Sequence, residues 1–239
     1  TRKESSAASD VYKRQAYETV EKNGALPLLK PMSVIGGSMG IFNGLKYLEK
    51  THGGKGKMIS GMPGVAPGHV VVIGAGVAGQ GAIRTAVGLG ARVTALDVSF
   101  DTLLDIQNIY GGAVETMYSN PANVMKSVKD ADIVVSTVLI PGSRAINVVT
   151  EEMVKQMEPG SVIVDVSIDQ GGAVETMDHA TTHSDPIYIK HGIIHYAVAN
   201  IPGTVAETAS VALSNETTRY AIEIANNCLL YTSPSPRDS

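Results

Sequence analysis

No tryptophan occurs among the 239 residues, and there is a single cysteine, Cys228. A lone cysteine excludes an internal disulfide and makes a reducing cytoplasm the expected compartment. Basic blocks are missing as well: 19 Lys and Arg stand against 23 Asp and Glu, for a net charge of −4. Nucleic acid and an anionic membrane surface are therefore not expected as partners. No apolar stretch approaches the roughly 18 residues of a membrane span, and the N-terminus has no apolar signal core. What is present is an ordinary globular composition, 44% apolar and 18% charged, enough for one or two domains. Twenty-five glycines point to many tight turns.

The two ends differ from the rest. Residues 1–15 are polar without hydrophobic period, and 228–239 read CLLYTSPSPRDS, breaking the helical pattern before them. Both read as translated adapter sequence, the alternative being native disordered tails, and both are set aside from fold reasoning. The chain starts without Met and reads as an internal fragment.

Between the ends, apolar spacing at Ile35, Met39, Phe42, Leu45 and Leu48 predicts a helix over 32–50. Ser33 is its expected N-cap, and its glycines are expected to permit close packing. A Gly- and Pro-rich loop covers 52–68. Strands are then expected at 69–73, 92–96, 113–118, 133–139, 161–166 and 195–199. Helices are expected at 77–89, 100–110, 120–129, 150–157 and 205–226. Such alternation predicts an α/β fold, a doubly wound parallel sheet with every strand's carboxyl end on one edge. The heptapeptide GGAVETM occurs twice, at 111–117 and 171–177. No longer repeat surrounds it, and the sequence offers no physical account of it.

The chemistry concentrates on that carboxyl edge. Gly74, Gly76 and Gly79 form a G-x-G-x-x-G turn between the first strand and the next helix. The first glycine makes the turn. The second admits a pyrophosphate close to the backbone, and the third lets helix and strand pack. Asp97 ends the following strand, about 20 residues on, where an acid accepts from the ribose hydroxyls and repels a 2′-phosphate. Strand, glycines, helix and acid together predict a Rossmann domain that binds NAD. The alternative is a plain βα turn beside a surface Asp. Two later strand ends, VLIPG at 138–142 and DVSIDQGG at 165–172, lie on the same edge. Asp169 thus falls in the expected crevice, as a candidate for handling a proton or as a turn-capping residue. Asp165, inside an apolar strand, is expected to make local backbone contacts, and Asn200 again follows a strand. His179, His183, His191 and His195 lack metal spacing with acids or Cys, so they read as surface or packing residues and no metal is expected.

Taken in order, the runs PMSVIGGSMG, THGGKGKMISGMPGV, VVVIGAGVAGQGA, ALDVSFDTL, VLIPGSRA, VDVSIDQGG and HYAVANIPG resemble the alanine dehydrogenases. The resemblance covers about 15–227. It implies NAD-dependent, reversible oxidative deamination of L-alanine to pyruvate and ammonium, in a homo-hexamer. By matching motif it implies cofactor contacts from Ser33, Val77, Ala78, Asp97 and Ser119. Val138 and Leu139 would line the crevice. Ile168 and Asp169 would approach the nicotinamide end, with Val198, Asn200 and Ile201 opposite, and Asp169 would be catalytic. In the family, a substrate-binding Arg and Lys and a catalytic His precede the PMS helix, and none of them is in this chain. The chain alone is therefore expected to bind NAD without turning over alanine. The family often has Arg after the ET run where Met177-Asp178-His179 stands, which removes one expected cofactor contact. The expected layout is a connecting helix and loop at 16–67, an NAD-binding domain at 68–200 and a linking helix at 201–227, the flanking helices belonging to an incomplete second domain. Two alternatives are the NAD-binding subunit of a transhydrogenase, whose AAQNGG-like and TDLPG-like runs are not seen here, and a non-catalytic NAD-binding module.

Overall fold

The computed structural model describes residues 20–22, 26–138 and 147–226. Expectations for 1–15, for 228–239 and for Leu139 therefore fall outside the described residues. The chain divides into two units, Ser33–Thr204 and the pair of segments Thr1–Met32 and Val205–Ser239.

In the larger unit, seven strands form one sheet: β1 (His69–Ile73), β2 (Arg92–Asp97), β3 (Val114–Tyr118), β4 (Ile133–Ser136), β5 (Val162–Asp165), β6 (Ile187–Lys190) and β7 (Ile193–Tyr196). Their order is β3-β2-β1-β4-β5-β7-β6. All neighbours are parallel except β6, which runs antiparallel to β7. The order reverses between β1 and β4, which opens a crevice at their carboxyl ends. Alternate side chains face opposite layers. Val70, Val72, Val135 and Val164 pack with Ile41, Ile83 and Ile106. Val71, Ile73, Val134 and Ile163 pack with Val124, Val128 and Met153. Helices α1 (Lys30–Leu48), α2 (Val77–Gly88) and α3 (Phe100–Tyr110) supply the first layer, and α4 (Pro121–Lys129) and α5 (Glu151–Lys155) the second. Burial on both faces explains the near-continuous apolar strands HVVVI and VIVD.

Three expectations are corrected. Helix α1 starts at Lys30, not at a Ser33 cap; Pro31 enters the first turn, where its missing N–H is harmless, and leaves Ser33 inside the helix. β4 stops at Ser136, before 139, because its neighbour β1 turns away at Gly74. The last strand is Ile193–Tyr196 instead of 195–199, and β6 was not foreseen at all. His191 (φ 54°) and Gly192 (φ 79°) join β6 and β7 as a two-residue turn with both central residues left-handed. This turn sets β7 earlier in the chain.

Helix α1 uses its glycines to come close. A Cβ at Gly37 would collide with the Ala78 carbonyl, and one at Gly81 with the Val34 carbonyl. The Ser38 hydroxyl donates to the Gly81 carbonyl (3.2 Å). Gly40 and Gly44 rest on Val135, Val164 and Ile133.

The sheet's amino edge carries charge. Asp132, 2% exposed, pairs with Lys55 and with Lys57 (2.9 Å) and accepts from the His69 N–H (2.6 Å). Lys55 also reaches Glu158 (2.8 Å). Burial works against both charges, but the hydrogen bonds outweigh it: Asp132 titrates below the usual range and Lys55 above it. This cluster fastens the 53–57 loop to the bottom of the sheet.

The other unit contains α6 (Ala206–Ala225). Thr217 and Thr218 donate to the Leu213 and Ser214 carbonyls, and Arg219 pairs with Glu216 (2.9 Å). Every described side chain of α6 is at least partly exposed.

Candidate dinucleotide site

The turn after β1 is built around the Gly74 carbonyl. Gly74 has φ 88°, a left-handed conformation that L side chains disfavour. Its N–H donates to the Leu96 carbonyl (2.8 Å). The first turn of α2 sits directly on its C=O, so that a Cβ at Gly79 would collide with it. Gly76, by contrast, faces open space, with nothing within 4 Å of an added Cβ. It is the N-cap of α2 and brings no side chain to the helix's free N–H groups. Unpaired N–H groups, a positive dipole end and an unobstructed approach are what a pyrophosphate requires.

Asp97 ends β2 beside this turn. Its Oδ2 accepts from the Ala75 N–H (2.6 Å) and its Oδ1 from the Ser99 N–H (2.9 Å). Each oxygen keeps a second lone pair, directed by a carboxylate whose position two backbone bonds hold. Ser119, just past β3, donates its N–H to the Asp97 carbonyl (2.8 Å) and lies at the same edge.

At the far side of the crevice, the ends of β4 and β5 are tied together. The Ser167 hydroxyl donates to the Val138 carbonyl (2.9 Å). Asp165 is fully buried: its Oδ1 accepts from the Ser167 N–H (3.0 Å) and its Oδ2 from the Ala173 N–H (2.9 Å). Burial pushes its carboxyl above the ordinary value. The Ala173 and Ser167 donors pull it down, and the charge of Asp169 adds an upward push. The local backbone contacts expected of Asp165 are thus present, and they shape the turn Ile168–Gln170 that carries Asp169. Ile168 is buried and Asp169 exposed. After β7, Val198 and Ile201 are buried, while Asn200 is exposed with φ 57°, a conformation Asn tolerates.

Gly74, Gly76, Val77, Ala78, Gly79, Asp97, Ser119, Val138, Ile168, Asp169, Val198, Asn200 and Ile201 all end or follow strands at their carboxyl ends or open α2 at that edge. Ser33 reaches the area from α1, one turn before Gly37, which abuts Ala78. Thr137, whose hydroxyl meets the Gly74 carbonyl, went unnoticed in the sequence; its place just after β4, at the switch point, was the available signal.

The histidines pack or lie at the surface. His195 is fully buried: its Nε2 lies 2.7 Å from the Thr176 hydroxyl and its Nδ1 2.9 Å from the Ile193 carbonyl. It stacks on Tyr188, which stacks on His179. Burial lowers His195 to about 4 and raises the Tyr188 phenol to about 12. His191 pairs with Glu151 (2.8 Å). Among the described residues, no group of three or more His, Cys, Asp and Glu is placed to hold a metal ion, and no helix is long and apolar enough to cross a membrane.

Comparison with known proteins agrees with this geometry. The family model "Alanine dehydrogenase/PNT, C-terminal domain" matches residues 40–233. The chain belongs to that family. Alanine dehydrogenase of Bacillus subtilis (strain 168) is 54% identical over 211 residues, which are 88% of this chain and 56% of the relative. The chain thus spans a little over half the length of the curated relatives it matches. A solved L-alanine dehydrogenase superposes with a TM-score of 0.85 at 47% identity, covering 88% of this chain and 58% of the other. A transhydrogenase structure from Sinorhizobium meliloti is less similar, with a TM-score of 0.67 and 27% identity over 81% of this chain and 55% of the other. Within the alanine dehydrogenase/PNT family, this chain therefore stands nearer the dehydrogenases than that transhydrogenase.

Proposed function

We propose that this chain is the NAD-binding part of an alanine dehydrogenase. The observation that carries the reading is the open Gly76 face at the uncapped start of α2 with Asp97 braced beside it, in a chain 54% identical to an alanine dehydrogenase. The reaction converts L-alanine, NAD and water to pyruvate, ammonium, NADH and a proton. NAD, when bound, accepts the hydride from the substrate carbon. This chain's residues bind and orient it. The α2 N–H groups and Gly76 hold the pyrophosphate, with Val77 and Ala78 against it. Asp97 accepts from the adenosine ribose hydroxyls and Ser119 lies near the adenine; Ser33 contacts the cofactor from α1, and Val138 and Leu139 line the crevice. Ile168, Val198, Asn200 and Ile201 flank the nicotinamide end. We assign to the exposed Asp169 carboxylate a role in proton handling there. Hydride transfer also needs a clamp on the substrate carboxylate and a second proton-transferring group. We assign both to the part of the family outside the matched stretch. We propose the family's homo-hexamer as the full-length assembly and the cytoplasm as its compartment, which suits a chain with one cysteine.

Calorimetric titration of the purified chain with NAD, followed by an assay for alanine-dependent NADH formation, tests the reading. The chain is expected to bind NAD and to show no turnover. Fused behind the complementary N-terminal part of the Bacillus subtilis relative, it is expected to turn over alanine. Absence of NAD binding would remove the cofactor assignment, and an inactive, NAD-binding fusion would remove the alanine dehydrogenase reading.

A further inference from the structure

The glycine turn is held from two sides, and only one of them is the acid at the end of β2. On the other side, β1 and β4 run in register with Ile73 opposite Ser136, so the next residues, Gly74 and Thr137, meet just beyond the ladder. The Thr137 N–H extends the pairing by donating to the Ile73 carbonyl (2.9 Å). Gly74 then departs with φ 88°, which would leave its C=O without a strand partner. The Thr137 hydroxyl takes that place: Oγ1 lies 2.6 Å from the Gly74 carbonyl oxygen and 3.3 Å from that of Ile73. The same oxygen lies 3.2 Å from the Cβ position of Gly79 and 3.1 Å from that of Gly74. Thr137 therefore touches the first and third glycines of the motif at once.

We infer that Thr137 is a positioning residue for the dinucleotide, acting through the Gly74 carbonyl. The inference rests on the NAD reading above. The peptide units from Gly74 to Gly76 join β1 to α2, and their orientation decides where the free N–H groups of α2 point. Asp97 fixes this segment by accepting from Ala75, and Thr137 fixes it by donating to Gly74. One holds the N–H of the turn and the other its C=O, so removing either lets the segment rotate about the remaining anchor. Valine keeps the side-chain shape, but a methyl cannot stay 2.6 Å from the Gly74 carbonyl oxygen, so Thr137→Val loses the bond and also pushes that carbonyl out of place, whereas Thr137→Ser keeps the donor.

The experiment compares the full chain with Thr137→Val and Thr137→Ser, using NAD and ADP-ribose titrations with thermal unfolding of each protein. Thr137→Val is expected to weaken both ligands about tenfold, equivalent to about 1.4 kcal/mol, with unchanged stoichiometry. Thr137→Ser is expected to bind within about twofold of the parent, because it restores the donor. A purely structural role would instead lower the melting temperature and the binding-competent fraction and leave the Kd of that fraction unchanged, which overturns the inference. So does equal affinity of Thr137→Val and parent, or equal loss in the Val and Ser variants. If Thr137→Val does not fold, Thr137→Ala, which adds no atoms, takes its place under the same criteria. A parent chain that binds neither ligand removes the NAD reading itself, an outcome distinct from a binding parent with an indifferent valine variant.

Discussion

We assign Asp97 two tasks with one carboxylate. It holds the Ala75 and Ser99 amides, and each oxygen keeps a second lone pair that we assign to the ribose hydroxyls. A 2′-phosphate brought there would meet a like charge that the backbone holds in place. We therefore expect NAD to bind tighter than NADP by several-fold to a hundredfold, about 1–3 kcal/mol. Asp97→Ala should narrow that gap while weakening NAD itself, since Ala75 loses its acceptor; equal affinities of the parent for the two cofactors in calorimetric titration would contradict the assignment. The acid was legible in the sequence because its distance from the glycines is a local property of one βα unit. Thr137 was not, because its partner is 63 positions away in the chain.

His195 sets a pH dependence of stability. An unfolded histidine titrates near 6.5, and burial holds this one at about 4 in the fold. The unfolded chain therefore takes up the proton first. The stabilisation is complete above about pH 6.5 and is lost as the pH falls from there through about 4, to a total of about 3 kcal/mol. Urea unfolding across that range should show the slope, and His195→Gln should flatten it. An unchanged slope in the variant would place the sensitivity elsewhere.

At the scale of elements, the glycines divide into two kinds that the sequence does not distinguish. Those of α1 are structural: Gly37→Ala drives a methyl into the Ala78 carbonyl, and overpacking of this sort costs about 1–3 kcal/mol. Gly76→Ala meets nothing, and its φ of −66° suits alanine. It should leave the melting temperature within about a degree of the parent and weaken NAD by tenfold or more, because the methyl occupies the pyrophosphate's approach. A Gly76→Ala protein that binds NAD normally would show that this face is not the phosphate site. Helices α1 to α5 were readable from their apolar spacing, and the central strands β1, β4 and β5 from near-continuous apolar runs, because the sheet is covered on both faces. β6 was not: it is a partly exposed edge strand whose turn places His191, in place of the usual Asn or Gly, in a left-handed conformation.

For the larger unit as a whole, the sheet's two edges have separate tasks. The carboxyl edge presents open backbone, whereas the amino edge is closed by Asp132 with Lys55, Lys57 and the His69 amide. Asp132→Ala leaves the buried His69 amide without its acceptor and Lys55 with Glu158 alone; losing a buried charge partner of this kind costs about 3–5 kcal/mol. We expect denaturant unfolding to register that loss while the NAD affinity of the folded protein stays within about twofold, since the substitution lies a strand's length from the turns. A large change in affinity would mean that the two edges are coupled.

The sequence by itself determined the α/β class, the strand–glycine–helix–acid unit and the edge on which a ligand would sit, because those follow from backbone demands and periodicities satisfied within a few residues. GGAVETM marks the point beyond which it determined nothing. At 111–117 it makes a 3-10 turn and then strand β3, paired with β2 from Val93 to Leu96. At 171–177 the same seven residues form turns. Ala173 donates to the buried Asp165, Val174 bridges to Val149 and Thr176 meets His195. The tertiary structure decided between the two conformations: one copy faces an open strand edge that completes its hydrogen bonds, and the other a buried carboxylate and imidazole that claim its polar groups first.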